Sequence, residues 1–366
     1  MSFQSFGFIG LGLIGGSVAK ALRNARPDCD IIAYDPNEES IQLAVKEKIV
    51  NKGVDCISSD FASCDLIFLC APVSDNDSNL HTLSKIIGKN TIISDVGSVK
   101  NRIRNNIDTL NLTSQFIGGH PMAGSERTGY INSKAILIEN AYYIVAPGDG
   151  VEPQKITDFK QLIKDLGAIP LVLESQKHDY VTGAISHLPH VIAASLVNFV
   201  KKSDDAEGTM KAIAAGGFKD ITRIASSSPE MWQQICLTNG NNIAELLDKY
   251  IDSLQKIKTQ IEQSKKEELF DFFKDAREYR DSFISSSTGP IKASYVIRVE
   301  IADRPGVIAL VSTLLGWHDI SIKNIGIVHN REHTDGVIRV ELNSESDLTK
   351  AKKVLESNDF VCYINS

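Results

Sequence analysis

The chain has 366 residues, with 39 Lys plus Arg against 46 Asp plus Glu, a net charge of −7. At ~100–200 residues per domain, that length predicts two or three domains, each with its own core. Hydrophobic residues at 42% and charged residues at 23% exclude a disordered chain. No run approaches the ~18 consecutive apolar residues of a membrane span, and the acidic balance disfavours nucleic acid and anionic membranes as partners.

Met1-Ser2-Phe3-Gln4 places no basic stretch before an apolar one, so no secretory signal is expected. The six cysteines contain no CxxC pair, which predicts reduced thiols, no metal site and a cytoplasmic location.

In chain order, short apolar runs at 6–10, 31–34, 66–70, 91–94, 115–118 and 142–145 alternate with helix-like segments such as 17–23, 38–46 and 153–166. That is the rhythm of an α/β parallel sheet, and residues 1–172 are read as one dinucleotide-binding domain. From 173 to 284 the strands give way to helices. Ile243, Leu247, Tyr250, Leu254, Ile257 and Ile261 recur in steps of four and three, a narrow seam along one long helix. Its charged setting favours a helix shared with a second subunit, hence a homodimer. Residues 285–294 form a linker, opened by Ser285-Ser286-Ser287-Thr288-Gly289-Pro290. Beyond it, strands at 295–301, 320–328, 336–342 and 360–364 and helices at 306–315 and 347–355 make a βαββαβ string, the ferredoxin-like arrangement, over 295–366.

Gly10-Leu11-Gly12-Leu13-Ile14-Gly15 places GxGxxG after a strand and at a helix start. Gly10 permits the tight turn, Gly12 lets the main chain approach a pyrophosphate, and Gly15 lets helix and strand pack closely. Asp35 ends the second apolar run, 20 residues past Gly15, where an acid binds ribose hydroxyls and repels a 2′-phosphate. NAD is therefore favoured over NADP. The blander role for Asp35 is a cap for the following helix.

His120 stands in Gly118-Gly119-His120-Pro121, placed just beyond a strand end, where it should face the cofactor crevice. Ser98, in Asp95-Val96-Gly97-Ser98-Val99-Lys100, could cap a helix, or bond the substrate or His120. In Ser186-His187-Leu188-Pro189-His190, the proline makes an N-cap role plausible for His187. Lys219 and Arg223 follow Gly216-Gly217 at i and i+4, on one helix face. They could clamp an anion or simply be solvated, and spacing alone favours the second reading.

Taken together, these motifs, with Gly217-Phe218-Lys219-Asp220 and Trp232, resemble the prephenate dehydrogenase family of tyrosine biosynthesis over nearly the whole chain. The resemblance implies a Rossmann-type dinucleotide-binding domain, an all-α dimerisation domain and a ferredoxin-like ACT domain. It implies NAD-dependent oxidative decarboxylation of prephenate, with His120 as the base and Ser98 orienting it. His190, Arg223, Lys219, Gly216 and Glu126 are expected at the substrate, and Gly10, Gly12, Leu13, Ile14, Gly15 and Asp35 at the cofactor. Asp303-Arg304-Pro305-Gly306 resembles the ligand loop of ACT domains, which implies Asp303, Gly306 and Asn324 at a regulatory ligand. Alternatively, Asp303 caps the helix with Pro305 in its first turn. End-product logic makes that ligand L-tyrosine. Arogenate dehydrogenase is the alternative activity, and a non-catalytic amino-acid sensor the alternative class.

Overall fold

The computed structural model describes residues 3–124, 127–285, 295–301, 305–328 and 336–364. Glu126, Asp303 and most of the 285–294 linker therefore lie outside the described residues. The first strand, β1 (Ser5–Ile9), is buried along Phe6, Gly7, Phe8 and Ile9, as a strand covered on both faces must be. It is followed by α1 (Leu13–Ala25), β2 (Asp30–Tyr34), α2 (Glu38–Lys46), β3 (Lys52–Val54), β4 (Leu66–Leu69), α3 (Val73–Leu83), β5 (Ile92–Asp95) and α4 (Asn101–Thr109). The five strands form one parallel sheet in the order β3-β2-β1-β4-β5. The order reverses between β1 and β4, which opens a crevice at the carboxyl ends of the strands.

A second sheet holds β6 (Ile117–Pro121), β7 (Tyr142–Pro147) and, after α5 (Pro153–Asp165), β8 (Ile169–Val172). The expectation of one parallel sheet through residue 145 is corrected here, because β6 and β7 are antiparallel. Among its described residues, the connection 122–141 has only single 3₁₀ turns, not the crossover helix that a parallel pair needs. β3 is only three residues long and β8 is exposed at Ile169, Leu171 and Val172, so neither carries a buried apolar run.

Next, α6 (Ser175–Thr182), a π-helical turn (Gly183–His187) and α7 (Leu188–Ser203) follow without a break. Pro189 accounts for the wide turn, since it lacks an N–H and its ring crowds the carbonyl one turn back. By length and composition this helix could cross a membrane, yet it buries a histidine-aspartate pair hydrogen-bonded to α4. It leads to α8 (Thr209–Ile213), α9 (Gly216–Thr222), α10 (Pro229–Thr238) and α11 (Gly240–Glu262). Along α11 the apolar seam is buried at Ile243 and exposed at Leu254 and Ile261.

Packing divides the chain into two units, Met1–Lys265 and Lys266–Ser366. The second begins with α12 (Lys266–Ser285) and continues as β9 (Tyr295–Ile301), α13 (Val307–Trp317), β10 (Ile322–Val328), β11 (Gly336–Leu342), α14 (Glu345–Glu356) and β12 (Cys362–Ile364). Its sheet is antiparallel in the order β10-β11-β9-β12, packed over Val311, Leu315, Ala351 and Leu355. Gly306 is the left-handed N-cap of α13 (φ 88°), so Pro305 precedes the helix and is not in its first turn.

Candidate active site

Two glycines of the β1–α1 loop have no substitute. Gly10 has φ 96°, and a Cβ there would meet the main-chain nitrogen of Ala71 at 2.6 Å. A Cβ on Gly15 would collide with the Gly10 carbonyl. Gly12 is the N-cap of α1, with open space above it, no side-chain cap and no acidic residue in the first turn. The N–H groups at the start of α1, from Leu13 and Ile14 onward, are thus uncovered, a fit for a pyrophosphate. Asp35 faces this loop. Its Oδ2 accepts the Leu11 N–H (2.6 Å) and its Oδ1 the Asn37 N–H (2.8 Å), while Asn37 caps α2. The helix-cap role for Asp35 is thereby excluded.

His120 lies within β6, paired with Ile144, and not beyond the strand as its setting predicted. Its Nδ1 is 2.8 Å from Nε2 of His178, whose Nδ1 is 2.8 Å from Oδ1 of Asp179. The Asp179 carboxylate also accepts the N–H groups of Lys100 (2.7 Å) and Asn101 (2.8 Å) at the start of α4. A carboxylate accepts, so His178 carries its proton on Nδ1 and presents a lone pair at Nε2. His120 must then donate from Nδ1, which leaves its own Nε2 as a free acceptor. Burial, and after it the neighbouring His178, Lys100 and His187, hold the His120 pKa well below its usual value. The imidazole is therefore neutral and basic at Nε2.

A buried ion pair supports this strand end. Lys100, fully buried, pairs with Asp95, whose carboxylate also accepts the N–H groups of Gly97 (3.0 Å) and Gly119 (3.1 Å). Asp95 thus ties the β5 loop to the residue before His120. Ser98 sits half-buried in that loop and cannot cap α4, which starts at Asn101.

The second cluster surrounds His187. Its Nδ1 is 3.0 Å from Nδ2 of Asn239, and its ring meets Trp232 edge to face (centroids 6.0 Å apart). Its N-cap role fails, because its backbone is helical and its side chain makes no capping bond. His190 stacks on Trp232 at 3.7 Å and donates from Nδ1 to the Ser186 carbonyl (2.9 Å). Burial and the charge of Arg223 lower its pKa, against the Ser186 bond, which raises it. Arg223 is therefore near His190. Lys219 and Arg223 fall at the end of the helix, since α9 ends at Thr222 and Arg223, its helical C-cap, opens a 3₁₀ turn. Gly216 and Lys219 are exposed on α9. Beside the His190–Trp232 stack, α7, α10 and the Arg223–Ser226 turn enclose a cavity of about 480 Å³.

Sequence reasoning missed His178, Asp179, Thr182 and Asn239. The first three follow β8, so the usual signal, polar residues after a strand end, was hidden with the strand itself. Asn239, at the corner between α10 and α11, has no local signature.

Residues 18–171 match the family model for the nucleotide-binding domain of prephenate dehydrogenase, and residues 174–275 match that for its dimerization domain. The chain belongs to the prephenate dehydrogenase family. Within this family, the prephenate dehydrogenase of Bacillus subtilis is 39% identical over 350 residues, 95% of this chain and 94% of that protein. The cyclohexadienyl dehydrogenase of Zymomonas mobilis is 32% identical over 76% of this chain and 95% of its own. A solved structure of Aquifex aeolicus prephenate dehydrogenase, in complex with hydroxyphenyl propionate and NAD+, has a TM-score of 0.73 at 33% identity. It covers 77% of this chain and 99% of that one. Synechocystis arogenate dehydrogenase has a TM-score of 0.69 at 27% identity, over 76% and 99%. A Rossmann-like nucleotide-binding domain followed by a helical dimerisation domain is the family architecture that these residues adopt.

Proposed function

We propose that the chain catalyses the NAD-dependent oxidative decarboxylation of prephenate to 4-hydroxyphenylpyruvate. The fixed tautomer of His120 carries this reading: with Nδ1–H committed to His178, Nε2 offers its lone pair to the ring hydroxyl of the substrate. The hydroxyl proton passes to Nε2 as hydride leaves C4, and C4 becomes a carbonyl. The C1–carboxylate bond then breaks, its electron pair enters the ring, carbon dioxide departs, and the C4 oxygen takes back the proton from Nε2 as the ring becomes a phenol. NAD, held by the Gly10–Gly15 loop and Asp35, supplies the hydride acceptor.

Ser98 orients the hydroxyl. Arg223 and Lys219 supply the few placed cations that a net-acidic chain needs at the anionic end of the substrate, and His190, Gly216 and Glu126 complete the substrate set. The exposed Leu254 and Ile261 on α11 support a homodimer, and six free cysteines fit a cytoplasmic protein. The functional division is 1–172 for the nucleotide, 173–284 for substrate and dimer, 285–294 as linker and 295–366 as a regulatory ACT domain of ferredoxin-like fold. The order β10-β11-β9-β12 and the left-handed Gly306 ahead of α13 support that last assignment, with L-tyrosine as effector near Asp303, Gly306 and Asn324.

The test follows NADH absorbance with prephenate or arogenate, NAD or NADP, and L-tyrosine present or absent. NADH formed from prephenate and NAD is the expected result; none from either substrate overturns the reading and leaves the amino-acid sensor. Turnover of arogenate alone transfers the activity to that substrate. Asn324→Ala in the full chain separates the tyrosine sites, since undiminished inhibition would place tyrosine at the active site instead.

A further inference from the structure

Asn239 is the corner residue between α10 and α11, buried to 3% exposure, and both ends of its side-chain amide are hydrogen-bonded. One amide atom lies 2.8 Å from the main-chain carbonyl of Asp179 and 3.0 Å from Nδ1 of His187. The other amide atom accepts from Nδ2 of Asn242 at 2.7 Å. A main-chain carbonyl only accepts, so the atom facing it must be the NH₂ group. The same group then faces His187, and Nδ1 of His187 must be an acceptor. Its single proton therefore sits on Nε2.

This assignment gives the two histidines around Trp232 opposite polarity. His190 spends its Nδ1–H on the Ser186 carbonyl, so in the neutral form it presents a lone pair at Nε2. His187 presents an N–H. That Nε2 is fully buried and has no hydrogen-bond partner among the described residues. A buried donor left unpaired costs roughly 1–3 kcal/mol, so such a group normally has a partner in the working state. Its neighbours are those of the active site: Trp232 at its edge, and His120 close enough to feel its charge. Protonation is opposed as well, because burial pushes the His187 pKa down to about 4, and an added Nδ1–H would point at an NH₂ group.

We propose that His187 is a substrate-binding residue, a neutral N–H donor to an acceptor oxygen of the bound anion, with Asn239 as the positioning residue that fixes its tautomer. The inference rests on the prephenate reading for the identity of that anion, while the tautomer belongs to the protein alone.

Two measurements on the full chain test this. In protein labelled with ¹⁵N-histidine, long-range ¹H–¹⁵N correlations report which nitrogen carries the proton, and His187→Gln assigns the signal. The expected result is protonation at Nε2 and a shift of that signal on adding 4-hydroxyphenylpyruvate. Protonation at Nδ1 overturns the proposal without touching the assigned activity. In kinetics with prephenate, His187→Leu should raise KM about tenfold, the value of one hydrogen bond to a charged group, with the KM for NAD unchanged. His187→Gln, which keeps an amide N–H near the Nε2 position, should recover most of it. Equal KM values for the two variants would remove His187 from the substrate. Asn239→Asp, which accepts from Nδ1 where Asn239 donates, should move the proton to Nδ1 in the same spectrum; an unchanged tautomer there removes the positioning role. Absence of prephenate turnover by the wild type would instead defeat the activity, and the wild-type spectrum would still decide the tautomer.

Discussion

Nε2 of His178 lies 2.8 Å from Nδ1 of His120, with the two rings edge to face at 78°. The contact makes His178 the acceptor that fixes the tautomer of His120, in the place where a carboxylate often orients a catalytic histidine. Here the carboxylate, Asp179, stands one residue further along the chain of bonds.

Replacing His178 with Phe removes that acceptor and frees the His120 ring to turn. Turnover should fall about a hundredfold, with the KM for NAD near wild type. Asp179→Ala should lower turnover too, and should also destabilise the fold by about 1–2 kcal/mol, since it uncaps α4. Initial rates and urea unfolding separate the two effects; wild-type turnover in His178→Phe would exclude the relay.

The acidity of His120 sets the pH profile. Burial first, then the neighbouring His178, Lys100 and His187, lower its pKa. A base with a lowered pKa stays unprotonated to lower pH, so kcat/KM should remain level from neutrality down through pH 6.5 and decline only below it. An acid limb centred at or above 6.5 would contradict this environment.

Lys100→Met leaves the Asp95 carboxylate buried with only the Gly97 and Gly119 N–H groups as partners. Breaking a buried pair from one side costs about 3–5 kcal/mol. Adding Asp95→Asn should restore much of the loss, because no uncompensated charge is then buried. A double variant less stable than Lys100→Met in urea unfolding would refute the pairing argument.

Asp35→Asn keeps an oxygen for the Leu11 N–H but removes the charge. The KM for NAD should rise about tenfold and the preference over NADP should shrink. An unaltered ratio of kcat/KM for the two cofactors would detach Asp35 from ribose recognition.

The nucleotide half was legible because its signals are local: a glycine loop after a buried strand, and an acid at the next strand's tip. His120 was legible from its glycines, although its strand runs through the histidine and pairs antiparallel with β7. What sequence could not supply was partnership at long range. Asp179 reaches α4 across 79 residues, and Asn239 reaches His187 across 52. Neither bond leaves a periodic or compositional trace.

The pair of hydrogen bonds that the Asp179 carboxylate accepts from the start of α4 has a consequence for motion. The helix bearing His178 cannot swing clear of the nucleotide sheet without uncapping α4 and disordering the base in one event. The cap of α4 and the tautomer of His120 are therefore disturbed together or not at all.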